Sequence, residues 1–142
     1  MRSKLLLYLL LGMFSFSCSK LKQTEKRIAG NWTIVGYNYV NFDGFTTEFD
    51  GTGEFIISNL SSSHGDYSLN LQYQNLISSG NKIESGKIQL NQNGENYRLD
   101  RINPNGTITS NDSGTIKFLN KTQMETFFND EFGTHYLVLS KD

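Results

Sequence analysis

Between Tyr67 and Gln74 apolar and polar residues alternate without a break, Tyr67, Leu69, Leu71 and Tyr73 interleaving with Ser68, Asn70, Gln72 and Gln74. A period of two sends the two sets to opposite faces of an extended chain, so this segment predicts a strand buried on one side only. The same period recurs in GEFIISN through Phe55 and Ile57, in GKIQLNQ through Ile88 and Leu90, and in NYRLDRI through Tyr97 and Leu99. GTIKFLN and THYLVLSK add two strands near the C-terminus. NKTQMETFFNDEF admits a helix with Met124, Phe127 and Phe128 on one side, but its Thr and Phe content and its place among hairpins favour a strand.

Turn chemistry falls between these runs. Asp43-Gly44, Asp50-Gly51, Asn93-Gly94 and Asn105-Gly106 are pairs that tolerate the positive φ of a tight hairpin turn. Short strands joined by hairpin signals, with no helical period longer than a turn or two and no internal repeat, predict an all-β antiparallel sandwich or barrel. Ahead of them SKLKQTEKRI is polar and charged, and reads as a tether running into one helical turn.

The first strand opens on Gly30-Asn31-Trp32, with the only tryptophan of the chain. Its period sends Trp32, Ile34 and Gly36 inward and Thr33, Val35 and Tyr37 outward. A glycine at position 30 lets the backbone pass close beneath the indole. AGNWTIVGYNYV resembles the Gly-x-Trp signature of the lipocalin and calycin barrels, in which the Trp lies across the closed end. FDGTGEFIIS resembles the Asp-Gly-Thr-Gly hairpin of short bacterial lipocalin-like lipoproteins, and GTIKFLNKTQMETFF their penultimate hairpin. The resemblance implies a small antiparallel up-and-down β-barrel, lipocalin-like, over residues 28–142.

In such a barrel the inward set is Trp32, Ile34, Phe55, Ile57, Tyr67, Leu69, Leu71 and Tyr73, the candidate ligand-facing residues. Arg101 shares the face of Tyr97 and Leu99 and can project inward to an anionic ligand, or lie at the strand end and reach solvent. An eight-stranded barrel has an interior just wide enough for side chains or one small ligand. The expected function is binding of a small apolar or amphiphilic ligand. The alternative is a solid barrel, its interior filled by these bulky residues, acting on a protein partner through its loops. The fatty-acid-binding calycins use a late Arg-x-Tyr that HYLVLSKD lacks, so a fatty acid is not supported. The Arg that packs on the Trp in many lipocalins has no evident counterpart near the C-terminus.

The N-terminus bears on location. MRSK carries two positive charges, and Leu5 to Phe16 is an apolar run of twelve residues. That is short of the roughly 20 needed to span a bilayer. Charged start, short apolar middle and small residues describe a signal peptide over residues 1–17. The only cysteine, Cys18, stands at the expected cleavage site. FSFSCSK resembles the lipobox of bacterial lipoproteins in the loose form of Bacteroidetes-like members, with Ser15 and Ser17 where Leu and Gly or Ala are usual. Ser15-Phe16-Ser17 also suits an ordinary signal peptidase. The lipoprotein resemblance implies a diacylglyceryl thioether on Cys18 plus an N-acyl chain of the palmitate kind. Each buried methylene contributes about 0.8 kcal/mol, so several chains together hold a membrane firmly. Ser19 after the Cys points, in that family, to the outer membrane. SKLKQTEK lacks the acidic cluster of surface-displayed members, so a periplasm-facing envelope lipoprotein with a tether over residues 18–27 is expected.

Without its first 17 residues the 142-residue chain leaves 125, the size of one domain. Eleven basic residues then face fourteen acidic ones, a net charge of −3. Nucleic-acid binding would need clustered basic excess and is not expected. No second Cys exists to form a disulfide.

Chemistry-bearing clusters are sparse. SSSHGD, from Ser61 to Asp66, holds Ser, His and Asp too close together in one loop to make a triad. Asp130, Glu131 and His135 in NDEFGTH match no metal-ligand spacing and read as a solvated hairpin. Asp50-Gly51-Thr52-Gly53 lacks the Gly-Lys-Ser/Thr of a phosphate loop. No catalytic residues, metal or cofactor are expected.

Overall fold

A computed structural model describes residues 20–141. Residues 20–28 are helical, and eight strands come after them: β1 (Gly30–Asn41), β2 (Thr46–Ser61), β3 (His64–Gln74), β4 (Ser79–Leu90), β5 (Asn96–Ile102), β6 (Ile108–Phe118), β7 (Gln123–Asn129) and β8 (Gly133–Ser140). Each pairs antiparallel with its neighbours in sequence, and β8 returns to β1, closing a barrel in up-and-down order. Closure leaves no edge strand to template association. The signal peptide and Cys18 lie outside the described residues.

The period of two does most of the construction. Trp32, Ile34, Phe55, Ile57, Leu69, Leu71, Ile88, Leu99, Met124, Phe128, Leu137 and Leu139 are all buried inside. Each such side chain removed from water contributes about 1.5–3 kcal/mol, so this apolar filling is the main stabilising term.

Three expectations change. β1 carries a bulge, seen as a register shift between Ile34 and Gly36 against β8 and between Ile34 and Tyr37 against β2. One extra residue reverses the phase of the remainder of the strand, so Tyr37, expected outside, is buried and Gly36 is not. Asp50-Gly51 is not a turn: it lies inside β2, where the absent Cβ of Gly51 makes room for the inward Tyr37. The expected tether is a helix of nine residues, 20–28, that packs Ile28 and Thr24 into the base.

The helix is strapped to the barrel. Glu25 accepts from Ser63 N–H at the β2–β3 turn, Lys20 pairs with Glu95 after the β4–β5 turn, and Arg27 donates to the Asn120 carbonyl at the β6–β7 turn. The indole N–H of Trp32 donates to the Ile28 carbonyl at 2.7 Å. This end is therefore closed. At the other end the tips of the β1–β2, β3–β4 and β7–β8 hairpins expose Phe42, Phe45, Leu76, Ile77 and Phe132.

The wall has two splits. The β4–β5 ladder runs only from Gly86↔Arg101 to Leu90↔Tyr97, and the β6–β7 ladder only from Ser113↔Asn129 to Phe118↔Met124. The tip of the β5–β6 hairpin thus stands free of the ladder on both flanks, toward the open end.

Candidate ligand-binding chamber

Toward the open end the interior changes character because β4 reverses its polarity. Gly80, Lys82, Glu84, Gly86 and Ile88 face inward, while Ile83 between the two charges is 71% exposed. Register brings Arg101 of β5 beside Gly86 of β4, and Asp112 of β6 beside Leu99. The Arg101 Nε lies 2.9 Å from Glu84 Oε2, and the guanidinium donates to Asp112 Oδ2 at 3.2 Å. Lys82 Nζ lies 3.4 Å from Glu84 Oε2 and donates to Asp130 Oδ2 at 2.8 Å.

The chain of contacts continues across the barrel. His135 Nε2 is 2.8 Å from Asp130 Oδ2, and its Nδ1 is 2.8 Å from the Tyr37 hydroxyl. A carboxylate only accepts, so His135 Nε2 carries a proton and donates to Asp130, while Nδ1 and the Tyr37 hydroxyl share the second hydrogen bond. Asp112, Arg101, Glu84, Lys82, Asp130, His135 and Tyr37 form one connected network inside the wall.

Burial and pairing pull these groups apart. Burial disfavours a charged Asp130, yet hydrogen bonds from His135, Lys82 and the Phe132 N–H hold its carboxyl far below the ordinary range. For Asp112 burial prevails over the attraction of Arg101 and its carboxyl is raised. Arg101 is raised, Glu84 and Asp112 outweighing the burial that opposes its charge. Burial pushes the phenols of Tyr37, Tyr67 and Tyr97 up. They are hydroxyls, not phenolates.

Among the described residues, four buried polar side-chain atoms have no hydrogen-bond partner: Tyr67 OH, Glu84 Oε1, Arg101 Nε and Ser110 Oγ. Arg101 Nε is near Glu84 Oε2 but poorly aimed at it. A buried group left unpaired costs about 1–3 kcal/mol. All four come from β3, β4, β5 and β6 around the upper interior. At the β6–β7 split a cleft of about 350 Å³ is lined by Arg101, Ser110, Asp112, Asn129 and Asp130, and a second cleft, beside β3, β4 and β5, is lined by Tyr67, Glu84 and Arg101.

The opposite side of the chamber is aromatic. Tyr37 stacks on Phe49 at 5.5 Å between centroids and on His135 at 5.9 Å, with Tyr73 tilted against it at 5.3 Å. Phe128 stacks on the far side of His135 at 4.8 Å. Below, Tyr97 donates to or accepts from Thr126 Oγ1 at 2.7 Å, its ring lying against Gly114, where a Cβ would strike both the ring and the Phe127 carbonyl.

The nine candidate ligand-facing residues all point inward, but they divide. Trp32, Ile34, Phe55, Ile57, Leu69 and Leu71 pack in the apolar part. Tyr67 sends its hydroxyl among the charges with Arg101, which pairs inside rather than reaching free into solvent, and Tyr73 joins the aromatic wall. Gly30 is needed for its φ of 120°, not for space: a Cβ there would meet only Lys141 Nζ, at 3.5 Å. Asp130 and His135, expected in a solvated hairpin, are buried in the network, whereas Glu131 is exposed. Lys82 on β4 reaches Asp130, in the β7–β8 turn, from across the barrel.

In SSSHGD, His64 contacts Ser63 Oγ and the Ser62 carbonyl, while Asp66 is engaged by Asn59 and Lys87. Ser, His and Asp are not linked in series there. Among the described residues no group of three His, Cys, Asp or Glu is arranged to hold a metal ion. Sequence reasoning missed Lys82, Glu84, Asp112 and Tyr37. The one available signal was that Lys82 and Glu84 continue, at period two, the inward row that ends in Ile88 and Leu90.

No protein-family model matches the chain, and no curated protein matches it. Solved structures do. The redesigned barrel mFAP1, bound to DFHBI, superposes with a TM-score of 0.56 at 14% identity over 83% of this chain and 98% of its own. A de novo designed fluorescence-activating β-barrel does so with 0.51 at 13% identity over 84% and 97%. At this identity the likeness is one of fold. The chain is a closed eight-stranded antiparallel barrel of the lipocalin-like kind.

Proposed function

We propose that this protein is a binding barrel for a small amphiphilic molecule, held at the cell envelope by lipid on Cys18. The observation that carries the binding reading is the interior itself, apolar and sealed at the base, then charged and incompletely paired toward the open end. A wholly structural core has no use for four buried polar atoms without partners, each costing about 1–3 kcal/mol. A ligand that supplies hydrogen bonds to them recovers that cost on binding. The redesigned barrel mFAP1, of the same fold, is bound to DFHBI, which lends support.

The envelope assignment rests on the sequence: a charged and apolar leader, and a lone cysteine in a lipobox-like setting. The reading includes no catalytic step. The test is a native mass spectrum of protein purified from its own membranes. It is expected to report acyl mass on a chain beginning at Cys18 and a retained small molecule. A chain beginning elsewhere, without lipid, would defeat the anchoring, and ligand-free protein that takes up no amphiphilic probe would defeat the binding.

One observation favours a second reading, a barrel that engages a protein partner through its loops. Phe42, Phe45, Leu76, Ile77 and Phe132 are all exposed at the tips of hairpins at one end. Apolar residues gathered at one rim mark a contact surface more than scattered ones do. Under this reading envelope extracts yield a bound protein, and its capture is lost when Leu76 and Ile77 are made serine.

A further inference from the structure

We propose that three of the unpartnered polar atoms, Glu84 Oε1, Tyr67 OH and Ser110 Oγ, are a seat for a cationic, hydrogen-bond-donating head group, an ammonium or amidinium, entering through the split between β6 and β7. The inference rests on the binding reading above and specifies its ligand.

The balance of charge in the chamber favours a cation. Three carboxyl groups, Glu84, Asp112 and Asp130, face two fixed cations, Lys82 and Arg101, while His135 bridges Tyr37 and Asp130. Acidic side chains outnumber the fixed cations by one. Arg101 is already engaged by two carboxylates and Lys82 by two, so an anionic head would have to break an existing pair and face the carboxylates beside it.

The free valences agree with that balance. Glu84 Oε1, on a side chain 3% exposed, is an acceptor with nothing to accept from. The Tyr67 and Ser110 hydroxyls supply further acceptor lone pairs, and both are buried without partners. A primary ammonium offers three donors to three such oxygens.

The route is also suited to an amphiphile. Inside the β6–β7 split lie Ser110, Asp112 and Arg101. Ile108, two residues before Ser110 on β6, and Phe132, two residues after Asp130 in the β7–β8 turn, are exposed to solvent. A polar cleft with exposed apolar residues close by in the chain fits a charged head with a short apolar tail.

The test compares three probes of equal tail length, octylammonium, octanol and octanoate, by calorimetry on the purified chain at neutral pH. Octylammonium is expected to bind at least about tenfold tighter than octanol, with octanoate weakest, since a charge-assisted hydrogen bond contributes about twice a neutral one. Tyr67→Phe and Ser110→Ala, which each remove one hydroxyl of the seat, are expected to weaken octylammonium several-fold and octanol less. Octanol or octanoate binding as tightly as octylammonium, or octylammonium indifferent to both substitutions, overturns the seat while the binding reading stands. If none of the three binds, both fall.

Discussion

The Lys141 ammonium sits 4.7 Å above the Trp32 ring and donates to the carbonyls of Arg27 and Ala29 at 3.1 and 2.9 Å. One side chain thus covers the indole by cation–π attraction and caps the C-terminus of the helix that closes the base. This lysine stands one residue beyond the end of β8, so the last described residue of the chain closes over the first strand and the helix before it.

Replacing this lysine tests the closure. Lys141→Ala is expected to cost about 1–2 kcal/mol, the sum of an exposed cation–π contact and the lost caps. Urea unfolding followed by Trp32 fluorescence reads it directly, and the emission of the folded variant should shift to the red. Lys141→Arg is expected to keep most of the stability.

Tyr67→Phe is expected to leave stability unchanged or raise it by up to about 1 kcal/mol, because it removes a buried hydroxyl that has no partner. Thermal unfolding of the ligand-free protein measures this. A marked loss would mean that the hydroxyl is paired in solution.

Two buried aspartates are expected to respond oppositely to pH. The carboxyl of Asp130 is depressed in the folded state. It therefore adds stability above the unfolded carboxylate value, about 3.9, and loses it as pH falls below. Asp130→Asn should cost about 1–3 kcal/mol at pH 7 by breaking bonds to Lys82 and His135, and the gap to the parent should shrink below pH 4. Asp112 is raised, so its charge costs stability at neutral pH and protonation relieves it. Asp112→Asn should be close to neutral at pH 7. Thermal melts of the three proteins between pH 3 and 7 decide both signs.

Gly114→Ala places a methyl against the Tyr97 ring and the Phe127 carbonyl. The expected cost is about 2–3 kcal/mol, the upper part of the range for overpacking, with loss of the Tyr97–Thr126 bond. A drop of less than half that in urea denaturation would show that the β6–β7 wall gives way easily.

The architecture was readable wherever apolar and polar residues alternate, as from Tyr67 to Tyr73 and from Tyr97 to Leu99, because one face meets the core. It became unreadable where the inside is itself polar. Ser79 to Ser85 belongs to β4, yet Lys82 and Glu84 point in and Ile83 points out, the reverse of the expected binary pattern. The bulge in β1 escaped for another reason: a one-residue register shift is decided by both neighbouring strands and leaves no mark in Val35-Gly36. Asp50-Gly51 has turn composition but its glycine serves the packing of Tyr37. For the chamber, Arg101 was visible as a residue on the inner face, while Glu84, Asp112 and Asp130 converge on it only once the strands are wound together.

Because the helix over residues 20–28 is bonded to three turns of the sealed base, chain entering at Lys20 is rigidly joined to that end. Cys18 precedes it by only two residues. Acylation there would stand the molecule upright on the bilayer, sealed base toward the lipid, and aim its phenylalanine-tipped mouth into the aqueous compartment. Orientation would then need no second anchor, and cargo would be exchanged with whatever diffuses past the mouth rather than with the leaflet underfoot.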